Sequence, residues 1–302
     1  MLLHGVRVLD LSRLLPGGYA TRLLLEQGAT IVKIESPEGD PIRRMPAGEA
    51  LFEALHRGKQ LLTLDLKSVA GRDQLGRMLA DVDVIVEGFR PGVMEHLDLG
   101  YAKLSGIQPR LVYCAITGYG SNRPQSSRAG HDLNYLALSG ALALMPRKDG
   151  LPMIPGLQLA DMAGGLQAAF LVSSALAARG SSGRGARLEV SMTALMGSWT
   201  LPERAAREAG LAGLGLSGEY PCYRVYRVSD GWISVAALES RFWRDLCIAI
   251  GRPELVSRQF DQKASVELEQ VFKTASRGEW VERLAGHDVC VEPVLQLDEL
   301  SD

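Results

Sequence analysis

Three short segments carry side chains able to do acid–base chemistry, and each is odd for a purely structural role. The first, Ala129-Gly130-His131-Asp132-Leu133-Asn134-Tyr135, crowds an imidazole, a carboxylate, a carboxamide and a phenol into five positions. It directly precedes an apolar run, Leu136 to Leu144. Asp132 or a neighbour is equally well read as a helix N-cap, since a short polar side chain there accepts from the first orphan N–H groups. A lone histidine in such a place is more often a satisfied surface or core residue than a catalyst. The second segment, Gly156 to Gly165 (GLQLADMAGG), sets Asp161 at the start of a long apolar helix that contains Gly164 and Gly165. Each glycine costs about 1 kcal/mol of helix propensity relative to alanine. That cost makes sense where the backbone must pass close to a ligand. In the third, Ala237-Leu238-Glu239-Ser240, the glutamate follows a strand and can simply open the next helix. Singly, each segment says little.

The elements that must position these segments alternate between short apolar strands and helical stretches. Val6 to Leu11, Thr30 to Glu35, Val82 to Phe89 and Leu111 to Ile116 read as strands. A helical pattern runs from about Pro16 to Gln27, Ser68 caps a helix towards Ala80, and Pro91 suits the first turn of another. A long helix from about Met162 to Arg179 turns at Gly180–Gly185 into a strand at Arg187 to Ser191. Such alternation implies an α/β fold: a large Rossmann-like parallel-sheet domain with helices on both faces. A Gly-rich, aperiodic stretch then leads to a hairpin, Tyr223 to Val228 and Trp232 to Val235, turning at Ser229-Asp230-Gly231. Helices from about Ser240 to Ile250, Val266 to Ala275 and Glu279 to Ala285, and a short strand at Val289 to Val294, complete a smaller α+β domain. We therefore expect a large domain over 1–205, a linker over 206–222 and a small domain over 223–302.

A dinucleotide site is the first thought for this pattern, but the turn after the first strand reads SRLLPGGYATRLL. It has no G-x-G-x-x-G to bring backbone against a pyrophosphate. Thirty-three basic against 35 acidic residues leave a net charge of -2, which argues against a nucleic-acid or membrane-surface role. The four cysteines are scattered, with neither C-x-x-C nor histidines at metal-ligand spacing, so we expect reduced thiols and no metal. No basic leader opens the chain, and no apolar stretch approaches the ~18 residues of a membrane span. The expectation is a soluble, cytoplasmic protein.

Taken together, the segments say more. GHDLNY at Gly130 to Tyr135 and ADMAGG at Ala160 to Gly165 resemble segments of the alpha-methylacyl-CoA racemases, within the CaiB/BaiF class of family III CoA transferases. VRVLDLSRLLPGGYA, GATIVKIESPEGDP, LTLDLKS, EGFRPGV, SSGRGARLEVSM, ALESRFW and CVEPVLQLDEL are similar in the same order, so the resemblance spans essentially the whole chain. It implies the family III fold and an enzyme that acts on acyl-CoA thioesters. His131 and Asp161 would be two bases on opposite faces of the substrate α-carbon. Glu239, from the small domain of the partner subunit in an interlocked homodimer, would support the histidine. CoA contacts map onto Leu64, Asp65, Leu66 and Lys67, onto Arg90, and onto Gly130, Asp132, Leu133, Asn134 and Tyr135. No cofactor beyond the CoA moiety of the substrate is implied.

That chemistry explains the residue types. A thioester α-proton is weakly acidic, so its carbanion must be held as an enolate whose oxygen faces donors, each worth on the order of 10²–10³ in rate. N–H groups at the helix following Asp161 are the expected donors. Inversion needs one group to remove the proton and another to return it from the opposite face. Substrate walls are expected to be apolar, with Met and Leu side chains.

Two departures accompany the resemblance. The family arginine after the second strand is Ser36 here, with Arg43 or Arg44 as the expected substitutes, and the sequence stops at Asp302, before the tail that the resemblance leads us to expect to cross back to the first domain. Two alternatives stand beside the racemase: a CoA transferase using Asp161 as nucleophile, and a shortened CoA-binding protein without catalysis.

Overall fold

The computed structural model describes residues 1–300. The chain divides into two compact units, the first Met1–Leu201 and the second from Pro202 onward. In the first unit, β1 (Arg7–Leu11), α1 (Leu14–Glu26), β2 (Thr30–Glu35), α2 (Gly48–His56), β3 (Gln60–Thr63) and α3 (Val69–Met78) come first. There follow β4 (Val84–Glu87), α4 (Val93–His96), α5 (Tyr101–Ile107), β5 (Val112–Thr117) and α6 (Asp132–Ser139). A two-residue ribbon, β6 (Arg147–Lys148) and β7 (Leu151–Pro152), precedes α7 (Leu159–Ser182), β8 (Ala186–Ser191) and α8 (Met192–Trp199).

Six strands form one sheet in the order β3-β2-β1-β4-β5-β8, with every pair parallel. Side chains alternate across it. Val8, Ile31, Val84 and Val112 meet Leu24, Ala168, Val172 and Met192 on one face, while Leu9, Ile34, Ile85 and Tyr113 meet Leu75, Met94 and Leu104 on the other. All six residues of β5 are buried, as expected of a parallel strand covered on both faces. The strand order reverses between β1 and β4, and in open α/β sheets the crevice at the carboxyl ends of such strands is where ligands bind.

Local chemistry explains the helix starts. The Ser68 hydroxyl accepts from Gly71 N–H at 3.0 Å and opens α3. The helix expected from Pro91 begins only at Val93, because Gly92 adopts φ +89° and completes a turn first. Edge strand β3 escaped the sequence reading; its four residues, QLLT, include no fully buried position. Helix α7 is a second correction. By length and apolarity it meets the requirement for a membrane span, contrary to expectation. Its small residues Ala160, Ala163, Gly164, Gly165 and Ala168 are buried in the first unit's core, where a core helix belongs.

The second unit holds α9 (Leu201–Glu208, its first residue across the boundary), β9 (Tyr223–Val228), β10 (Gly231–Ala236), α10 (Ser240–Ala249), α11 (Ala264–Phe272), α12 (Arg277–Leu284) and β11 (Val291–Pro293). Its sheet runs β11-β10-β9, antiparallel throughout. Tyr226, Ile233 and Val235 pack on Trp243, Leu246, Phe272 and Trp280. The division falls four residues before the expected one, and α9 takes up the first residues of the expected linker.

Candidate active site

At the strand-order reversal of the first unit, a cavity of about 300 Å³ opens, and both His131 and Asp161 line it. Its walls come from the carboxyl ends of the sheet: Arg13, Leu14 and Gly17 after β1, Gly88 to Pro91 after β4, and Ile116 to Tyr119 from β5. Met192, at the start of α8, closes another side. Two residues thirty positions apart thus face one space.

His131 is the exposed N-cap of α6, in extended backbone geometry, and its own N–H donates to the Asn134 side-chain oxygen at 3.0 Å. Asn134 is therefore a local brace. Asp132 does something the sequence did not reveal. Its Oδ1 accepts from the N–H groups of Ala160 (2.6 Å) and Asp161 (3.1 Å), so it caps α7 rather than its own helix. One carboxylate oxygen thereby ties the neighbour of His131 to the backbone of Asp161. Asp161 pays electrostatically: burial, and then the charge of Asp132, push its carboxyl from 3.8 up to about 7.

This arrangement overturns the expectation that α7 offers N–H donors to an enolate oxygen. Leu159 donates to Leu157 O (3.0 Å), Met162 donates to Gln158 O (2.9 Å), and Ala160 and Asp161 are taken by Asp132. At the start of α6, by contrast, Asp132 and Leu133 N–H have no acceptor among the described residues. The paired glycines are also reassigned. A Cβ on Gly165 would stand 2.5 Å from Pro16 O and 3.0 Å from the Tyr19 ring, and one on Gly164 would stand 2.8 Å from the Met192 side chain. They let α7 lie against α1 and α8, not against a ligand.

Tyr135, expected among CoA contacts, is buried, and its hydroxyl donates back to Gly130 O. Tyr119 packs edge-on to it at 5.2 Å and donates to Ala129 O at 3.3 Å. A Cβ on Gly130 would meet the Tyr119 hydroxyl at 2.3 Å, so only glycine fits between the two rings.

Of the expected CoA residues, Arg90, Gly130 and Tyr135 line the cavity. Leu133 is exposed on α6 beside it. Leu64, Asp65, Leu66 and Lys67 lie outside, in the turn after edge strand β3. Leu64 is core, Asp65 accepts from Lys67 N–H, Leu66 is half-buried and Lys67 is exposed. Arg43, one of the two expected substitutes for the family arginine, already has partners: it pairs with Glu35 (3.0 Å) and Glu49 (2.6 Å) and lies 3.4 Å over the Phe52 ring. Arg44 is exposed, and together with Lys67 it helps to lower the Glu38 carboxyl, which the Ser36 hydroxyl holds down most strongly. Glu239 is the exposed N-cap of α10 in the second unit.

Two cavity arginines went unremarked in the sequence. Arg13 follows β1 and lies 4.7 Å over the Phe89 ring; Arg128 sits three residues before His131. With Arg90 they give the cavity a positive rim, which suits an anionic ligand. Nothing in the periodicity marks them, because all three lie outside the helices and strands. Glu87, at the end of β4, accepts from Phe89 N–H (2.7 Å) and so shapes the turn bearing Arg90; burial pushes its carboxyl up to about 7.

Residues 3–302 match the profile of CoA-transferase family III. The chain is 35% identical to the human alpha-methylacyl-CoA racemase, over 99% of this chain and 79% of that one. It is 32% identical to a Mycobacterium tuberculosis protein named as a probable fatty acyl-CoA transferase, over 93% of this chain and 79% of that one. The fold superposes on the crystal structure of a CaiB/BaiF family protein from Brucella suis with a TM-score of 0.85. That pair is 28% identical and covers 98% of this chain and 84% of the other.

Proposed function

The chain belongs to CoA-transferase family III, and from that premise we propose that it racemises 2-methylacyl-CoA thioesters by two-base proton transfer. The observation that carries the reading is that His131 and Asp161 line one cavity, with the Asp161 carboxyl pushed up to about 7. A group that titrates near neutrality is populated both as acid and as base, which a reversible proton relay needs. One of the pair takes the α-proton while the thioester becomes an enolate; the other returns a proton to the opposite face. The unengaged N–H groups of Asp132 and Leu133 are the donors we assign to the enolate oxygen, in place of those of α7. Arg13, Arg90 and Arg128 attract the CoA phosphates, and Ile116, Tyr119 and Met192 form apolar wall for the acyl group.

From the resemblance we further propose that the enzyme works in the cytoplasm as an interlocked homodimer without a cofactor beyond CoA, Glu239 supporting the histidine of the other copy. The second reading, a transferase, is favoured by the likeness to the M. tuberculosis protein. There the Asp161 carboxylate attacks the thioester carbon, expels CoA thiolate and forms a mixed anhydride; a free acid displaces the first acid from Asp161, and the thiolate then attacks the new acyl group, giving the second acyl-CoA and freeing the Asp161 carboxylate. His131 distinguishes the two, since the nucleophilic route has no step for it. The test is a panel of 2-methylacyl-CoA esters in deuterated water. Exchange with inversion, and no need of a free acid, is the racemase outcome, with losses of about 10²–10⁴ in His131→Ala and Asp161→Ala. Acyl exchange only with added acid rejects it in favour of the transferase. CoA binding with neither reaction rejects both.

A further inference from the structure

The loop that delivers His131 is held by two phenols from different elements. Tyr119 follows β5 and Tyr135 belongs to α6; their hydroxyls donate to the consecutive carbonyls of Ala129 and Gly130, immediately before the histidine. The rings meet edge-on at 5.2 Å, and each occupies the space a side chain would need at a glycine: Tyr119 at Gly130, Tyr135 at Gly118. Both are buried, at 8% and 7% exposure, yet both border the cavity. A hydrophobic core has no use for a hydroxyl, and phenylalanine would fill the same volume. The oxygens therefore have a local task.

We propose that Tyr119 and Tyr135 are positioning residues that aim the His131 imidazole, acting through the Ala129 and Gly130 carbonyls. The exposed imidazole has no side-chain partner in this unit to orient it, so its direction follows the backbone on which it stands. Asp161 is tied to this segment only through the backbone, by the Asp132 carboxylate at the start of α7. The clamp therefore bears directly on His131 and reaches Asp161 only at one remove, so damage to it acts first and most on the histidine.

This inference rests on the reading of His131 as one of two bases, and it predicts an asymmetry. In deuterated water, each epimer of a 2-methylacyl-CoA loses its α-proton to one group only. His131→Ala and Asp161→Ala identify which epimer depends on which. Tyr119→Phe and Tyr135→Phe remove one oxygen each and keep the rings. Both should slow initial exchange of the His131-dependent epimer by about tenfold or more, and that of the Asp161-dependent epimer by about threefold or less. Equal losses for both epimers, or none, overturn the proposal. If the parent protein exchanges neither epimer, the racemase reading fails by itself, and amide hydrogen exchange then reads the clamp directly. Faster exchange of the His131 N–H, which donates to Asn134, in both variants and without acceleration across the whole unit upholds it; an unchanged rate, or acceleration across the whole unit, overturns it.

Discussion

At the scale of single residues, the site depends on side chains that serve a neighbour's backbone. Asp132 is the clearest case. Its carboxylate completes the start of α7 and its charge raises Asp161. Asparagine at 132 keeps an acceptor and removes the charge. We expect Asp132→Asn to lower the Asp161 pKa from about 7, because a like charge no longer disfavours ionisation. The pH–rate limb belonging to Asp161 moves to lower pH, and a limb that stays in place would refute the coupling. The two arginines after β2 also separate here. Arg43→Ala breaks a pairing with Glu35 and Glu49 and leaves Glu35 without its guanidinium, so it should cost stability, on the order of 1 kcal/mol. Arg44→Ala should leave the melting temperature unchanged and weaken CoA binding, by calorimetry. CoA affinity unaltered in Arg44→Ala would remove that residue from the ligand path.

At the scale of elements, the position of Asp161 is set by how closely α7 approaches α1. Gly165→Ala puts a methyl 2.5 Å from Pro16 O, backbone that has no rotamer by which to yield. Overpacking of this kind costs about 1–3 kcal/mol, although alanine is the better helix former. Urea unfolding should show the loss, and a variant as stable as the parent would mean that the helices separate freely. Gly180→Ala, near the other end of α7 with open space at its Cβ, is the control and should gain stability slightly. The first expectation for the glycine pair, a ligand passing over the backbone, failed because propensity registers that a glycine is costly without saying what lies against it.

At the scale of the whole molecule, the site makes stability depend on pH. Asp161 and Glu87 rise to about 7 from 3.8 and 4.5 on folding, so between roughly pH 4 and 7 the native state binds more protons than the unfolded one. Stability then falls as pH rises through that window and levels off above it. Asp10 works the other way. Its carboxyl drops from 3.8 to about 2: burial opposes the drop, and the charges of Lys33 and Lys59 overcome it. Its contribution is present above pH 4 and is lost as the solution is acidified towards pH 2. Asp161→Asn should therefore stabilise the protein at pH 8, on the order of 1–3 kcal/mol, and by about half of that or less at pH 5. Thermal melts at the two pH values measure it, and equal gains would show that ionisation is not the cause.

What the amino-acid order determined by itself was local. Strand–helix alternation, the hairpin at Ser229-Asp230-Gly231, the Ser68 cap and the types of the reactive side chains are all readable within a dozen residues, the range over which periodicity and capping act. The tertiary structure decided which side chain serves which. Asp132 meets α7 across 28 positions, and Gly165 meets Pro16 across 149. Such pairings leave no periodic trace in the chain, since they arise from the packing of elements whose separation in sequence carries no information about their separation in space.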